Sequence, residues 1–129
     1  MPYALTSQQK DAVLNLSSDK RYDYAVTKMV EAGEVWSLRS DKGWVMVSTE
    51  GEQCLPVWPH PDLAADWATG DWADCKPERI ELSVWTSRWL PGMDEDELSV
   101  AVFPSRDEQG VVVHPLDFLD SLLEASPAG

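Results

Sequence analysis

Cysteine, histidine and cationic side chains are all scarce in this chain of 129 residues, which has two Cys, two His and 10 Lys and Arg against 23 Asp and Glu. Each shortage excludes something. Two cysteines, Cys54 and Cys75, are too few for a disulfide framework and suit a reducing compartment, so thiols are expected. No apolar run approaches the roughly 20 residues needed to cross a bilayer. The opening Met-Pro-Tyr-Ala-Leu-Thr lacks the basic-then-apolar pattern of a signal peptide. The expectation is a soluble cytoplasmic protein with no membrane association. A formal net charge of −13 repels the phosphate backbone that dominates nucleic-acid affinity, so nucleic acid is not expected as a partner. The same field attracts a basic protein, although acidity also serves solubility alone.

Catalytic and metal-binding patterns are missing as well. There is no glycine-rich phosphate loop, no Gly-x-Ser-x-Gly elbow and no His-Glu-x-x-His. Cys54, His60, Cys75 and His114 have the chemistry of zinc ligands, but no two of them share a local element, so no metal and no cofactor are expected. A cysteine activated by His60 or His114 has the residue types for nucleophilic chemistry without any spacing that brings them together. Asp94, Glu95, Asp96 and Glu97 read as a solvated acidic loop, because the twelve-residue alternation and central glycine of a calcium-binding loop are absent. The sequence gives no positive reason to propose an enzyme.

What is present describes an ordinary globular chain, with 43% hydrophobic and 26% charged residues. One domain over 1–129 is expected, with its core within 6–125 and a frayed tail at 126–129. Thr6 and Gln9 have capping-box spacing ahead of Ala12, Val13 and Leu16. Ser17-Ser18-Asp19 then caps a second helix carrying Tyr22, Ala25, Val26, Met29 and Val30 up to Gly33. From Glu34 the period changes to two. Val35–Leu38, Trp44–Ser48 and Gln53–Trp58 read as a three-stranded meander, and Pro56 suggests an edge strand or a strand end.

Pro61 and Pro115 each fit the first position of a helix, which puts His60 and His114 at N-caps. An imidazole there accepts an amide of the first turn, so both histidines are expected to be corner residues rather than catalytic bases. Ile80-Glu81-Leu82 reads as a short strand or a helix entry, and Val84, Trp85, Arg88 and Trp89 recur helically until Pro91-Gly92, where a stop is expected. Leu98–Phe103 and Val111–Val113 form a second hairpin, and Leu116, Leu119, Leu122 and Leu123 mark one face of a closing helix. The fold class is α/β of the α+β type: a mainly antiparallel sheet, N-terminal helices, a helix after the Trp-Pro-His-Pro corner and a C-terminal helix.

Taken in order, Val35-Trp36-Ser37-Leu38, Gly43-Trp44, Leu55-Pro56-Val57-Trp58-Pro59-His60, Trp89-Leu90-Pro91-Gly92, Val100–Pro104 and Gly110–Val113 with Pro115 form a characteristic series. From about Arg21 to Leu123 the chain resembles the bacterial family called domain of unknown function 2750. The resemblance implies a small α/β protein, found mainly in proteobacteria, and brings no catalytic residues with it.

Seven tryptophans crowd the middle of the chain. Most belong in a core, while Trp58, Trp67 and Trp72 flank turns and are the favoured exceptions. Three readings follow. The first is a non-catalytic acidic protein-binding module with a basic protein as partner, one form being an immunity-type protein that neutralises a basic toxin or effector. Its contacts would be the acidic Asp94, Glu95, Asp96 and Glu97, with Trp58 and Trp72 as anchors. The second is a small-molecule-binding protein or enzyme with a Trp-rich pocket near His60. The third is an accessory or homo-oligomeric structural protein.

Overall fold

Reciprocal hydrogen bonds start the first helix. Thr6 Oγ1 accepts the Gln9 amide at 3.1 Å and Gln9 Oε1 accepts the Thr6 amide at 3.0 Å, opening α1 (Ser7–Leu14) as the spacing predicts. The computed structural model describes residues 6–41, 43–49, 52–68, 74–104 and 111–125. Ser17 caps α2 (Ser18–Ala32) by accepting the Lys20 amide, and Gly33 ends it at φ 71°, a left-handed conformation that a Cβ would strain. Arg21, Ala25, Val26 and Met29 form the buried face of this helix.

Among the described residues seven strands follow in two sheets. β1 (Glu34–Ser40), β2 (Gly43–Trp44) and β5 (Lys76–Glu81) form one antiparallel sheet with β1 in the middle. β3 (Val47–Thr49), β4 (Glu52–Val57), β6 (Ser99–Val102) and β7 (Val111–Val113) form the other in the order β3-β4-β6-β7. Its pairs are antiparallel except β4–β6, which is parallel. With the helices this is a single α+β domain, and buried residues from both sheets and six of the helical segments share one apolar core.

The expected meander is present in its pairings but split between the two sheets. β1 and β2 pair as a hairpin, the Val45 amide donates to Leu38 O at 3.0 Å, and the chain then leaves for the second sheet as β3. β4 pairs antiparallel with β3 and lies parallel to β6 on its other side. Pro56 consequently sits in an interior strand rather than at an edge, one residue from the strand's end, which is the other position its missing donor suggests. The reason is directional. Its carbonyl accepts from Ser37 Oγ at 2.7 Å on the β1 side, so the absent N–H also faces away from β6 and removes no bond from that ladder.

β5 was not legible as a strand before Ile80, because Lys76-Pro77-Glu78-Arg79 has no apolar alternation. It pairs with β1 over six residues, and Arg79 Nε reaches the buried Glu34 carboxylate at 3.1 Å. Helix α3 (Pro61–Trp67) packs against both of these strands. From Leu82 one helical stretch runs as α4 (Leu82–Val84), a π-helical turn (Trp85–Trp89) and α5 (Leu90–Glu95). It passes through Pro91-Gly92, where the sequence predicts a stop. In the π turn Leu90 N–H donates to Trp85 O, five residues back, and this wider turn receives Pro91 where a regular turn would clash with its ring. Ser87 and Thr86 hydroxyls donate to carbonyls four residues back, at 2.6 and 3.1 Å.

α6 (Pro115–Ala125) closes the chain with a different face inward from the one its leucines suggest. Pro115, Phe118 and Leu122 are buried, whereas Leu116 and Leu123 are exposed. The aromatic ring of Phe118, flanked by Tyr22 and Trp85 with centroids 6.1 Å away on each side, sets the rotation.

Phe103 has φ 53°, uncommon for a residue with a bulky side chain, and it is held there by the fully buried Arg21. Arg21 Nε donates to Phe103 O at 3.3 Å, Nη1 donates to Leu16 O at 2.8 Å, and the guanidinium lies 5.8 Å from the Phe103 ring centroid. One side chain therefore ties the end of β6 to the chain between α1 and α2. Arg21→Ala should lower the unfolding free energy by roughly 3 kcal/mol in urea denaturation, since buried carbonyls lose charged donors and a cavity opens. A loss below about 1 kcal/mol would show that Arg21 has no such role.

Tyr22 OH donates to Ser121 Oγ at 2.7 Å and links α2 to α6. Burial raises its pKa above the ordinary 10.0, so the folded state keeps this proton longer than the unfolded chain. Stability should therefore fall as pH rises past 10.0, and Tyr22→Phe should flatten that decline in pH-dependent denaturation. An unchanged slope in the variant would contradict the assignment.

Candidate functional site

The Trp-Pro-His-Pro corner is structural in its bonding. His60 is extended (φ −148°, ψ 142°), caps α3 and accepts the Asp62 amide on Nδ1 at 3.0 Å, with Pro61 at the start of the helix. The imidazole is buried. Trp58, expected as a surface anchor, is 0% exposed, and its Nε1 donates to Pro104 O at 3.0 Å. Its backbone exchanges two hydrogen bonds with Trp36, which turns the indole into the core beside the half-buried Trp67. Trp58 therefore offers no face to a partner. Trp72, the other expected anchor, lies outside the described residues.

Asp94, Glu95, Asp96 and Glu97 form a helix end rather than a loop. Asp94 and Glu95 lie on the last turn of α5, Asp96 caps it (φ −85°, ψ 0°), and Glu97 takes φ 60° to turn the chain toward β6. Carboxylates at a helix C-terminus face the negative end of its dipole, an unfavourable placement worth a few tenths of a kcal/mol each, on the order of 0.3–1. One of them is answered by a neighbour. His114 Nε2 lies 3.1 Å from Asp94 Oδ1, while His114 Nδ1 accepts the Leu116 amide at 3.1 Å and caps α6. The imidazole bridges the end of α5 and the start of α6, and its capping bond places the ring proton on Nε2. The histidine is half-exposed, beside a carboxylate and engaged on both nitrogens.

The same junction sets a surface that the periodicity hid. On α6, Leu116 is 41% and Leu123 60% exposed, Leu119 is half-buried between them, and Asp117, Asp120 and Glu124 are exposed alongside. Neither 91–104 nor 111–125 contains a Lys or Arg. The outer face of α6 is thus a leucine ridge bordered by carboxylates, continued by Asp94–Glu97 across the His114 bridge. The residues were visible in the sequence, but all four leucines were assigned to the core face; the buried Phe118, three positions from Pro115, was the signal for the true rotation.

Other groupings are mainly packing. Trp44 meets Trp89 edge-on at 4.8 Å, Trp89 lies 5.7 Å from Trp85, and Arg39 stacks over Trp44 at 5.6 Å. Cys54 is buried in β4, and Cys75 precedes β5. Desolvation, and then the charge of Asp74, raise the Cys75 pKa above 9.0, which disfavours the thiolate a nucleophile needs. Among the described residues no three His, Cys, Asp or Glu side chains are grouped to hold a metal ion, and no helix is long and apolar enough to cross a membrane.

The capping bonds make a testable statement about protonation. In its neutral form each imidazole should be the Nε2–H tautomer, measurable as an acceptor-type Nδ1 shift in long-range nitrogen–proton correlation spectra. An Nδ1–H tautomer at either site would remove the cap.

No curated protein matches the chain. Residues 22–122, from the second helix to the closing one, match a known family over most of the sequence. The chain is a member of the family described as Protein of unknown function (DUF2750).

Proposed function

We propose that this chain is a non-catalytic, cytoplasmic protein-binding module whose partner is a basic protein, and that it docks through the junction of α5 and α6. Neutralisation of a basic toxin or effector, in the manner of an immunity protein, is the form of this function we favour. The observation that carries the reading is Leu116 and Leu123 exposed on a helix whose other exposed residues are Asp117, Asp120 and Glu124, with Ala125 at its end. Apolar side chains at the centre of a contact hold a complex together, and surrounding charge selects and steers the partner.

A net charge of −13 attracts cationic surfaces over a distance that physiological salt shortens to about 8 Å. Charge therefore acts mainly on association and apolar contact mainly on dissociation. The anchoring role first assigned to Trp58 passes in this reading to the leucines. A small-molecule site at His60 has less support, because His60 and Trp58 are enclosed and His60 Nδ1 and Trp58 Nε1 already make bonds to the backbone. Two copies meeting through this face would oppose carboxylate to carboxylate, which disfavours a homo-oligomer built on it.

The test is capture of the partner on immobilised protein, followed by stopped-flow association across a salt series. A partner with an isoelectric point above about 9 is expected, with association slowing as salt rises. Glu95→Gln, Asp96→Asn and Glu97→Gln together, leaving Asp94 on His114, should slow association roughly three- to tenfold and leave the fold intact. An acidic partner, or association indifferent to salt, would contradict the proposal.

A further inference from the structure

We infer that the element recognised is a cationic amphipathic helix, laid along the Leu116–Leu119–Leu123 ridge of α6 with its basic flank against Asp117, Asp120 and Glu124. This rests on the reading of the protein as a module for a basic partner, and adds the shape and chemistry of what it holds. Among the described residues three large apolar side chains are exposed, Val84, Leu116 and Leu123, and two of the three stand on α6. They are seven residues apart, so they fall within about 20° of one another around the helix and define a ridge roughly 10 Å long. Leu119 fills the turn between them, while its inner side packs on the core.

The occupant follows from the borders of that ridge. Asp117, Asp120 and Glu124 line one side, and Asp94–Glu97 stand beyond its N-terminal end, held there by His114 on Asp94 at 3.1 Å. No Lys or Arg in 91–104 or 111–125 offsets them. A partner must bring apolar groups for the leucines and cations for the carboxylates at the same spacing. An amphipathic helix with apolar residues at i, i+3, i+4 and i+7 and basic residues beside them satisfies both, and a helical ridge packs into the groove of another helix. Strand addition is a poorer match, because the outer face of α6 presents side chains and no open backbone edge. A second copy would duplicate the negative charge. Lipid surfaces are disfavoured too, since interfacial helices border their apolar face with Lys and Arg.

Two synthetic peptides test this with the full chain: one Leu/Lys peptide with helical amphipathic spacing, and a second of identical composition with the order scrambled. Binding is read by anisotropy of a labelled peptide and helix gain by circular dichroism. The amphipathic peptide should bind about tenfold or more tightly than the scrambled one and gain helix on binding. Leu116→Ser with Leu123→Ser should remove that difference, and because both side chains are exposed the thermal midpoint should stay within about 4 °C. Equal, salt-sensitive binding of both peptides would overturn the helix inference and leave the basic-partner reading standing. Binding of neither peptide would overturn the inference, with the reading itself then decided by the captured partner. Self-association, or binding to phosphatidylcholine vesicles, that the same two substitutions abolish would overturn it by giving the ridge another occupant.

Discussion

Two sheets are joined along a seam between β1 and β4 in this fold, and the rest of the structure is positioned from it. Trp36 and Trp58 exchange backbone hydrogen bonds of 2.9 and 2.7 Å, and Ser37 Oγ adds a third tie to Pro56 O. The strand that leads into Trp58 ends there, because Pro59 and Pro61 cannot donate to a ladder. His60 converts the exit into a helix start by capping α3. On the other side, Val57 O accepts the Phe103 amide at 2.8 Å and the Trp58 indole N–H donates to Pro104 O at 3.0 Å, so the end of β6 is fixed by the same seam. Arg21 then locks Phe103 to the first two helices.

The docking face is a consequence of that packing. Phe118 must stand between Tyr22 and Trp85, Leu122 follows it inward one turn later, and Pro115 begins the helix from the buried side. A helix has about 3.6 residues per turn, so Leu116 and Leu123 are carried outward. Their exposure is fixed by the core rather than by chance orientation. His114 couples this helix to the end of α5, where one carboxylate is engaged and its neighbours remain in solvent. Packing thus creates the apolar ridge, and the acidic composition decides what can approach it.

What could be read from the sequence was whatever is decided within a few residues. Thr6 with Gln9, Ser17, Gly33, and the His-Pro pairs at 60–61 and 114–115 each specify a helix end through their own backbone and side-chain bonds, and each does so in the structure. The α+β class followed from these and from the alternating runs. Decisions made over long separations were not legible. β5 is a strand because β1 and Glu34 receive it, although its own residues carry no strand pattern. Pro56 is interior because Ser37 lies nineteen positions away in sequence and beside it in space. Pro91 is tolerated because a π turn precedes it. For the site, the acidic half was readable as composition, whereas its apolar half depended on how α6 rotates, and Trp58 near a turn looked exposed until the seam enclosed it.

The central claim is that the outer face of α6 and the acidic end of α5 form one binding surface for a cationic helix. Mapping backbone amide shifts of isotope-labelled protein during titration with the Leu/Lys amphipathic peptide tests it most directly. The account predicts that the largest saturable shifts fall on 94–97 and 114–124, with the Trp36–Trp58 seam unmoved. Shifts concentrated instead on Trp44 and Trp89, or along the β5 or β7 edge, would contradict it.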